Sequence, residues 1–470
     1  MSNPKLTFYG GVGFTTGANF LVEYKDLKLL VDCGLLQGTR NADEVNSAPF
    51  KYNPSEIQFL FVTHAHMDHI GKIPKLVKDG FKGQIISTFE TKELAKHLLV
   101  DAYKIMISRE RGGVSRNFYE EKNIGESLSL WESVAYGEKQ QINSEVSFRF
   151  LDAGHILGSA IIELNFNGKK VVFTGDLGNS PSPLLRDTEI PEDVDYLIIE
   201  SVYGDRNHKD KEERREMFKK IIKETLERKG EVIIPAFSVD RTQIILYELN
   251  NMVEDGELPS VPVFLDSPLA EKVTAIYSKS DRLFNQNIQK EIASGDDIFS
   301  FPKLDIVGSA RESQAIENIP NPKIIIAGSG MSEGGRVLEH EARALPHPEN
   351  TILLMGYQPV GTLGRELQDG AKTVTLPASY VKGKGGKQKV PVRARIESVH
   401  GYSAHKDSEH LLEFVEKSAG VNEENQKTKL KKVFVVMGEP KSSLFLVQRI
   451  RDYLDIPAIY PEEGKEYELI

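Results

Sequence analysis

The chain has 470 residues, 40% of them apolar and 27% charged. Those proportions exclude a disordered tail or a coiled coil, and no apolar run approaches the ~18 residues of a membrane span. Formal net charge is -10, from 59 basic and 69 acidic residues, which argues against indiscriminate polyanion binding and leaves room only for a local basic groove.

The length allows about three domains. Met1 to Asn3 lead straight into a strand-like run, with no signal pattern. A single cysteine, Cys33, cannot make an internal disulfide, so the expected compartment is the cytoplasm. Strands are predicted at Lys5 to Tyr9, Asn19 to Tyr24, Lys28 to Val31 and Phe59 to Val62, each bounded by Gly, Asp or Pro. Leu94, Leu98, Ala102 and Met106 recur at helical spacing and predict a helix over Glu90 to Ile107. Strands follow at Val146 to Leu151, Ser159 to Phe166, Lys170 to Thr174 and Asp195 to Glu200.

After about residue 206 strands and helices alternate, the signature of a parallel sheet with crossover helices. Helices are expected over Asp210 to Arg228, Arg241 to Val253, Pro268 to Ser278 and Gly335 to Leu345. The strands between them are Glu231 to Pro235, Val261 to Leu265, Lys323 to Ala327 and Thr351 to Met355. Val381 to Arg395 is Gly- and Lys-rich and reads as a hairpin or return connection. A helix over Lys406 to Lys417, a strand over Lys432 to Met437 and a helix over Ser442 to Leu454 complete the chain.

Eleven histidines are present, three of them within residues 64–69. In Thr63-His64-Ala65-His66-Met67-Asp68-His69, four metal-capable side chains follow a buried strand. A helix would put His66 opposite His64 and Asp68; a loop leaving a strand end directs two subsets at two ions. Zinc takes nitrogen and oxygen ligands of this kind, and a catalytic zinc keeps an open position. His155 follows Leu151-Asp152-Ala153-Gly154, and Asp176 follows Phe173-Thr174-Gly175. Asp32 follows Leu29-Leu30-Val31. Alone, each is an ordinary turn residue.

Together, in this order and all at strand ends, these residues resemble the metallo-β-lactamase superfamily. The resemblance implies an α/β fold, a four-layer αββα sandwich. It implies that His64, His66 and His155 hold one zinc, that Asp68 and His69 hold a second, and that Asp176 bridges them. Asp32 would orient the ligand loop. Ile199-Glu200-Ser201-Val202-Tyr203-Gly204-Asp205 and Gly401-Tyr402-Ser403-Ala404-His405 are similar to the acidic and histidine motifs of the β-CASP branch. Between them, Pro235 to Ser238, Leu265 to Ala270, Gly328 to Arg336 and Gly356 to Arg365 resemble that branch's inserted domain, a parallel sheet flanked by helices. The expected division is 1–205 and 396–470 for the metallo-β-lactamase domain, with 206–395 inserted.

β-CASP enzymes hydrolyse nucleic-acid phosphodiesters, so the resemblance implies a zinc-dependent ribonuclease using a metal-activated hydroxide. Asp68 and Asp176 would serve the metals, and His405, oriented by Glu200, would act near the leaving oxygen. Ser329, Gly330 and Ser332 with the following helix read as a phosphate-binding turn. Arg336 and Arg365 are candidate phosphate contacts or exposed salt bridges. Lys382, Lys384, Lys387, Lys389, Arg393 and Arg395 form a basic run that either tracks an RNA backbone or is a solvated loop. The expected partner is single-stranded RNA, with no membrane, and dimerisation, common in the family, makes a homodimer an expectation.

One residue departs from the pattern. The family's last motif places a histidine at a strand end, followed by Gly-Glu; here Met437 precedes Gly438-Glu439. A thioether is a weak zinc donor beside imidazole, so the second zinc is expected to be weaker. Met437 also keeps open a DNA nuclease of the same family; the other alternative, from relatives that have lost metal ligands, is an RNA-binding partner subunit with a weakened site.

Overall fold

The computed structural model describes residues 2–111, 118–208, 213–356, 358–381, 386–420 and 428–470. The chain divides into two units, Met1–Asn207 with Ala404–Ile470, and His208–Ser403.

Two seven-stranded sheets build the first unit. One runs in the order Glu466–Glu468, Lys5–Phe8, Phe20–Tyr24, Leu27–Val31, Phe59–Phe61, Gln84–Ser87, Trp131–Ser133. The other runs Ala458–Ile459, Lys432–Val435, Tyr196–Ile199, Lys169–Phe173, Ala160–Phe166, Val146–Asp152, Gln140–Gln141. Alternation along the strands sends one set of side chains into a shared core. Phe20, Val22, Leu29, Val31 and Phe61 from the first sheet meet Phe148, Phe150, Ile162, Leu164 and Phe173 from the second. Edge-to-face aromatic contact crosses this core at Phe61–Phe148, with ring centroids 4.9 Å apart. Truncating so buried a ring costs roughly 3–5 kcal/mol.

The opposite face of the second sheet is also covered. Val172, Leu197, Ile199, Val433 and Val435 pack on Leu411, Phe414 and Val415 of the helix Ser408–Ala419, and on Leu446, Val447 and Ile450 of the helix Pro440–Leu454. With both faces buried, these strands read as unbroken apolar runs. The helix expected over residues 90–107 spans Phe89–Arg111. The αββα sandwich carries the site at its strand ends: Val31, Phe61, Asp152, Phe173 and Ile199 each close a strand just before a candidate residue.

A six-stranded, wholly parallel sheet forms the second unit. Its order is Leu304–Ile306, Val263–Asp266, Lys323–Ala327, Glu231–Pro235, Thr351–Leu354, Arg395–Ser398. Thr373–Pro377 and Lys387–Pro391 make a separate antiparallel hairpin. The stretch read as a hairpin or return thus does both: Lys387–Pro391 is the hairpin's second strand, and Arg395–Ser398 returns to the parallel sheet. The boundary expected at 395/396 falls instead at 403/404, because Ile396 pairs opposite Ile352 and Ser398 opposite Leu354. Lys382 and Lys384 of the basic run lie outside the described residues. Lys387 and Lys389 are exposed, and Arg395 pairs with Glu224 at 3.1 Å.

Candidate metal centre

The strand Phe59–Phe61 delivers the histidine cluster. Its chain continues through Thr63, His64 and Ala65 into a one-turn helix, Met67–Ile70, with His66 as the residue before it. A loop followed by a turn separates the cluster into two groups, as the spacing requires.

His64 Nε2 lies 3.0 Å from His66 Nδ1 and 3.4 Å from Asp176 Oδ2. His155 Nε2 lies 3.3 Å from His66 Nδ1 and 3.5 Å from Asp176 Oδ2. Four ligands about 2.0–2.1 Å from a tetrahedral zinc stand roughly 3.3–3.5 Å from one another. Four of the six separations among these donors are thus 3.0–3.5 Å, and all four donor atoms lie within 4.8 Å of one another, a group that could hold a metal ion. On the other side of the same carboxylate, His69 Nε2 is 3.5 Å from Asp176 Oδ1 and 3.8 Å from Asp68 Oδ2. Both His69 Nε2 and Asp176 Oδ1 are buried without a hydrogen-bond partner. Buried polar atoms are seldom left so, which makes this side of Asp176 a candidate for a second cation.

Three of the other ring nitrogens have partners. His155 Nδ1 faces the Ala404 carbonyl at 3.2 Å. His64 Nδ1 meets Thr63 Oγ1 at 3.0 Å. His69 Nδ1 meets Asp32 Oδ2 at 2.8 Å. In the neutral ring each contact holds the hydrogen on Nδ1 and turns the lone pair of Nε2 toward the centre. Asp32, in the left-handed region at φ 59, also accepts from the Thr63 backbone N–H and from its hydroxyl, both at 2.8 Å. Thr63 thus links one carboxylate to two metal-facing rings. Nothing in the sequence around Thr63 marks it for this role.

Charge follows the same plan. Burial, then neighbouring imidazoles, holds His66 and His155 well below the ordinary histidine range, so they are neutral and able to ligate. Burial alone would lower His69, but the Asp176, Asp32 and Asp68 carboxylates outweigh it and hold the ring well above that range. Burial would raise Asp176, yet His69 and His64 hold it well below the carboxylate range. Burial raises Asp68. The His69 proton balances the carboxylates here, a task a divalent cation takes over when it binds.

Glu200 is buried at the end of Tyr196–Ile199. Its Oε1 accepts from the Leu177 backbone N–H at 2.7 Å and stands 3.1 Å from His405 Nδ1. His405 is held in turn by backbone pairing with Gly178, including Lys406 N–H to the Leu177 carbonyl at 2.9 Å. It lies 4.0 Å from Asp176 Oδ2. Burial would lower the His405 ring, but Glu200 above all, with Asp176 and Asp68, pushes it up to about 9.

Met437 is buried and in the left-handed region at φ 50. It belongs to the sandwich core with Phe20, Phe173 and Val436. A Cβ placed on Gly11 would come within 2.6 Å of its sulfur, so the thioether rests on a residue that must be glycine. A void of about 10 Å³, lined by Met437, Asp32, Thr63, His69 and Glu200, lies beside it.

The predicted phosphate residues lie in the second unit. Ser329 and Gly330 are in the loop after Lys323–Ala327, which closes on itself through Ser329 N–H to the Gly334 carbonyl at 3.1 Å. Ser332 does not face outward. It is buried, and its hydroxyl is 2.6 Å from Glu341 Oε1. Arg336 pairs with the buried Asp266 at 2.6 Å and also meets the Val307 carbonyl at 3.1 Å. Arg365 pairs with Asp369 one turn on, at 2.9 Å. Arg336 thus pairs with a buried carboxylate and Arg365 with an exposed one.

Comparison with known proteins agrees along the whole chain. The metallo-beta-lactamase superfamily profile matches residues 12–228, the Beta-Casp domain residues 242–367, and the Zn-dependent metallo-hydrolase RNA specificity domain residues 389–461. Ribonuclease TTHA0252 of Thermus thermophilus is 33% identical over 438 residues, covering 92% of this chain and 96% of that protein. The chain belongs to the β-CASP branch of the metallo-β-lactamase superfamily. An RNase J-like protein of Methanocaldococcus jannaschii is also 33% identical, covering 98% of each chain. A crystal structure of a protein of unknown function from Enterococcus faecalis V583 shares the fold, with a TM-score of 0.55 at 12% identity, covering 99% of this chain and 100% of that one. This β-CASP chain is a metal-dependent nuclease by family. No helix among its described residues is long and apolar enough to cross a membrane.

Proposed function

We propose that this chain is a zinc-dependent ribonuclease that hydrolyses phosphodiester bonds of single-stranded RNA in the cytoplasm. The observation that carries the reading is the pair of donor groups on opposite sides of Asp176. His64, His66 and His155 would hold one zinc against Asp176 Oδ2, and Asp68 and His69 a second against Asp176 Oδ1. Bound zinc supplies Lewis acidity, which lowers the pKa of water and neutralises phosphate charge.

The chain's own residues do the rest. Thr63 and Asp32 fix the tautomers of His64 and His69. His405, with Nδ1 toward Glu200, carries a proton on Nε2 that can pass to the leaving oxygen. Glu200 keeps that ring charged and aimed, since its Oε1 is itself fixed by the Leu177 N–H. Displacement at phosphorus leaves an alkoxide, a poor leaving group unless protonated, and a positioned acid contributes about 10²–10⁴-fold.

Single-turnover assays on end-labelled RNA and single-stranded DNA, with and without zinc, test the reading. Zinc-dependent cleavage of RNA is expected. Cleavage of DNA alone would favour the DNA-nuclease alternative, and cleavage of neither would leave a binding subunit.

A further inference from the structure

In the second unit Phe218, Phe264, Phe284, Phe299 and Phe301 are all buried, while Phe237 is 46% exposed. It follows directly on the buried strand Glu231–Pro235, at that strand's carboxyl end. The chain leaves this strand toward Val263–Asp266 on one side of the sheet, whereas the adjacent strand Lys323–Ala327 leads to Thr351–Leu354 on the other. Right-handed crossovers in opposite directions place their helices on opposite faces. The loops after these two neighbouring strands therefore part, and ligands of open parallel sheets bind in the crevice at such a point.

The two loops touch through Phe237. A Cβ placed on Gly330 would come within 2.9 Å of the Phe237 ring and of its backbone nitrogen. Gly330 is not among the residues with positive φ, so glycine is needed there for the close approach of the ring. The support beneath is rigid. Gln358 donates to the Gly330 carbonyl at 3.2 Å, and the buried Ser332–Glu341 pair holds the next turn. The next residue, Ser238, has its Oγ 3.4 Å from Ser267 Oγ.

This crevice is a poor cradle for phosphate. Ser332 points inward, Arg336 is bound to Asp266, and Glu333 is exposed on the same loop. An exposed aromatic ring at the mouth of such a crevice suits a flat heterocycle. We propose that Phe237 is a stacking platform for an unpaired nucleobase of the RNA strand, a proposal that rests on the ribonuclease reading above. Base–aromatic stacking is how proteins hold single strands without depending on the duplex.

The chain offers a clean probe. Its one tryptophan, Trp131, is buried, with its indole N–H on Ser87 Oγ at 2.8 Å. Phe237→Trp adds an exposed indole whose emission falls when a base stacks on it. Zinc-loaded full-length protein is titrated with a single-stranded phosphorothioate RNA, which keeps the charge and resists cleavage. A strand of the same length with abasic positions serves as the control, and anisotropy of the end label reports binding independently. Expected are quenching by the base-bearing strand only, and binding by Phe237→Ala weakened about tenfold. Binding by anisotropy without quenching, or a Phe237→Ala variant that binds as the unmodified chain does, overturns the platform and leaves the ribonuclease reading standing. No binding by the unmodified protein overturns that reading and the platform with it.

Discussion

Asp32→Asn tests how the ligand rings are set. The substitution keeps shape, and Asn tolerates the φ of 59 at this position. Asp32 accepts three hydrogen bonds at 2.8 Å: the Thr63 N–H on Oδ1, and the Thr63 hydroxyl and His69 Nδ1 on Oδ2. An amide can accept on only one side. If its NH2 faced the Thr63 backbone N–H, two donors would oppose each other with no means of relief. If it faces the side chains instead, the Thr63 hydroxyl rotates and His69 moves its hydrogen to Nε2. The second arrangement is the cheaper, and it removes the lone pair that would face the ion near Asp68 and Asp176. Loss of such an outer partner costs about 10–100-fold in metal affinity, or roughly 1.4–2.8 kcal/mol. The measurement is zinc content after dialysis against a graded series of chelators, with circular dichroism to establish folding. Asp32→Asn should lose one of two ions at the weaker chelator while the ion at His64, His66 and His155 is retained. Retention of both ions at the level of the unmodified protein would refute the tautomer reasoning.

His405→Ala should keep its zinc and its fold but lose about 10²–10⁴-fold in single-turnover cleavage; activity within a few-fold of the parent removes His405 from the reaction. Met437→His should raise retention of the second ion through dialysis, whereas two tightly held zincs in the unmodified chain would contradict the weak second site. Burial pushes Glu341 up to about 8 from an ordinary 4.5, against the pull of its Ser332 hydrogen bond. The native chain then holds a proton that the unfolded chain releases, so this group's contribution is full below about pH 4.5 and lost as pH rises through about 8. Glu341→Gln should flatten the fall of stability by up to ~1.4 kcal/mol per pH unit between pH 5.5 and 7.5, and equal slopes in denaturant titrations of the two proteins would refute it.

The candidate metal ligands were legible because their signal is local. His64, His66, Asp68 and His69 lie within six residues after one apolar run, and His155 and Asp176 each end another. Glu200 and His405 carried no such signal, since nothing in the spacing of residues 200 and 405 brings them to 3.1 Å. Only the resemblance suggested them. Thr63 was hidden by its type: a threonine after a strand fits β preference and attracts no notice. Phe237 was hidden likewise, because an aromatic after five buried strand residues reads as one more core position. Ser332 misled in the other direction. A serine among glycines suggests an anion turn, but its φ of 55 and the neutral Glu341 beneath turn its side chain inward. The boundary at 395/396 followed the motifs of the resemblance, whereas membership of a sheet is decided by pairing with residues some forty positions away, Ile396 with Ile352.

The two sides of Asp176 are built to unequal standards, and the inequality has a structural source. The His64–His66–His155 side has three imidazoles of which two are held neutral by burial, and it gains a fourth donor from Asp176 Oδ2. The His69 side has one imidazole and two carboxylate oxygens, and where a fourth protein donor would come from, Met437 is packed on Gly11. A histidine at 437 would have to give up that apolar contact to reach the ion, and the void of about 10 Å³ beside it leaves little room to do so without shifting Phe20 or Val436. The thioether therefore favours the sandwich core over supplying a donor on the His69 side. On this account Met437→His should bind the second ion more tightly and unfold at a lower temperature in chelator than the parent chain, a trade that calorimetry with and without zinc would register.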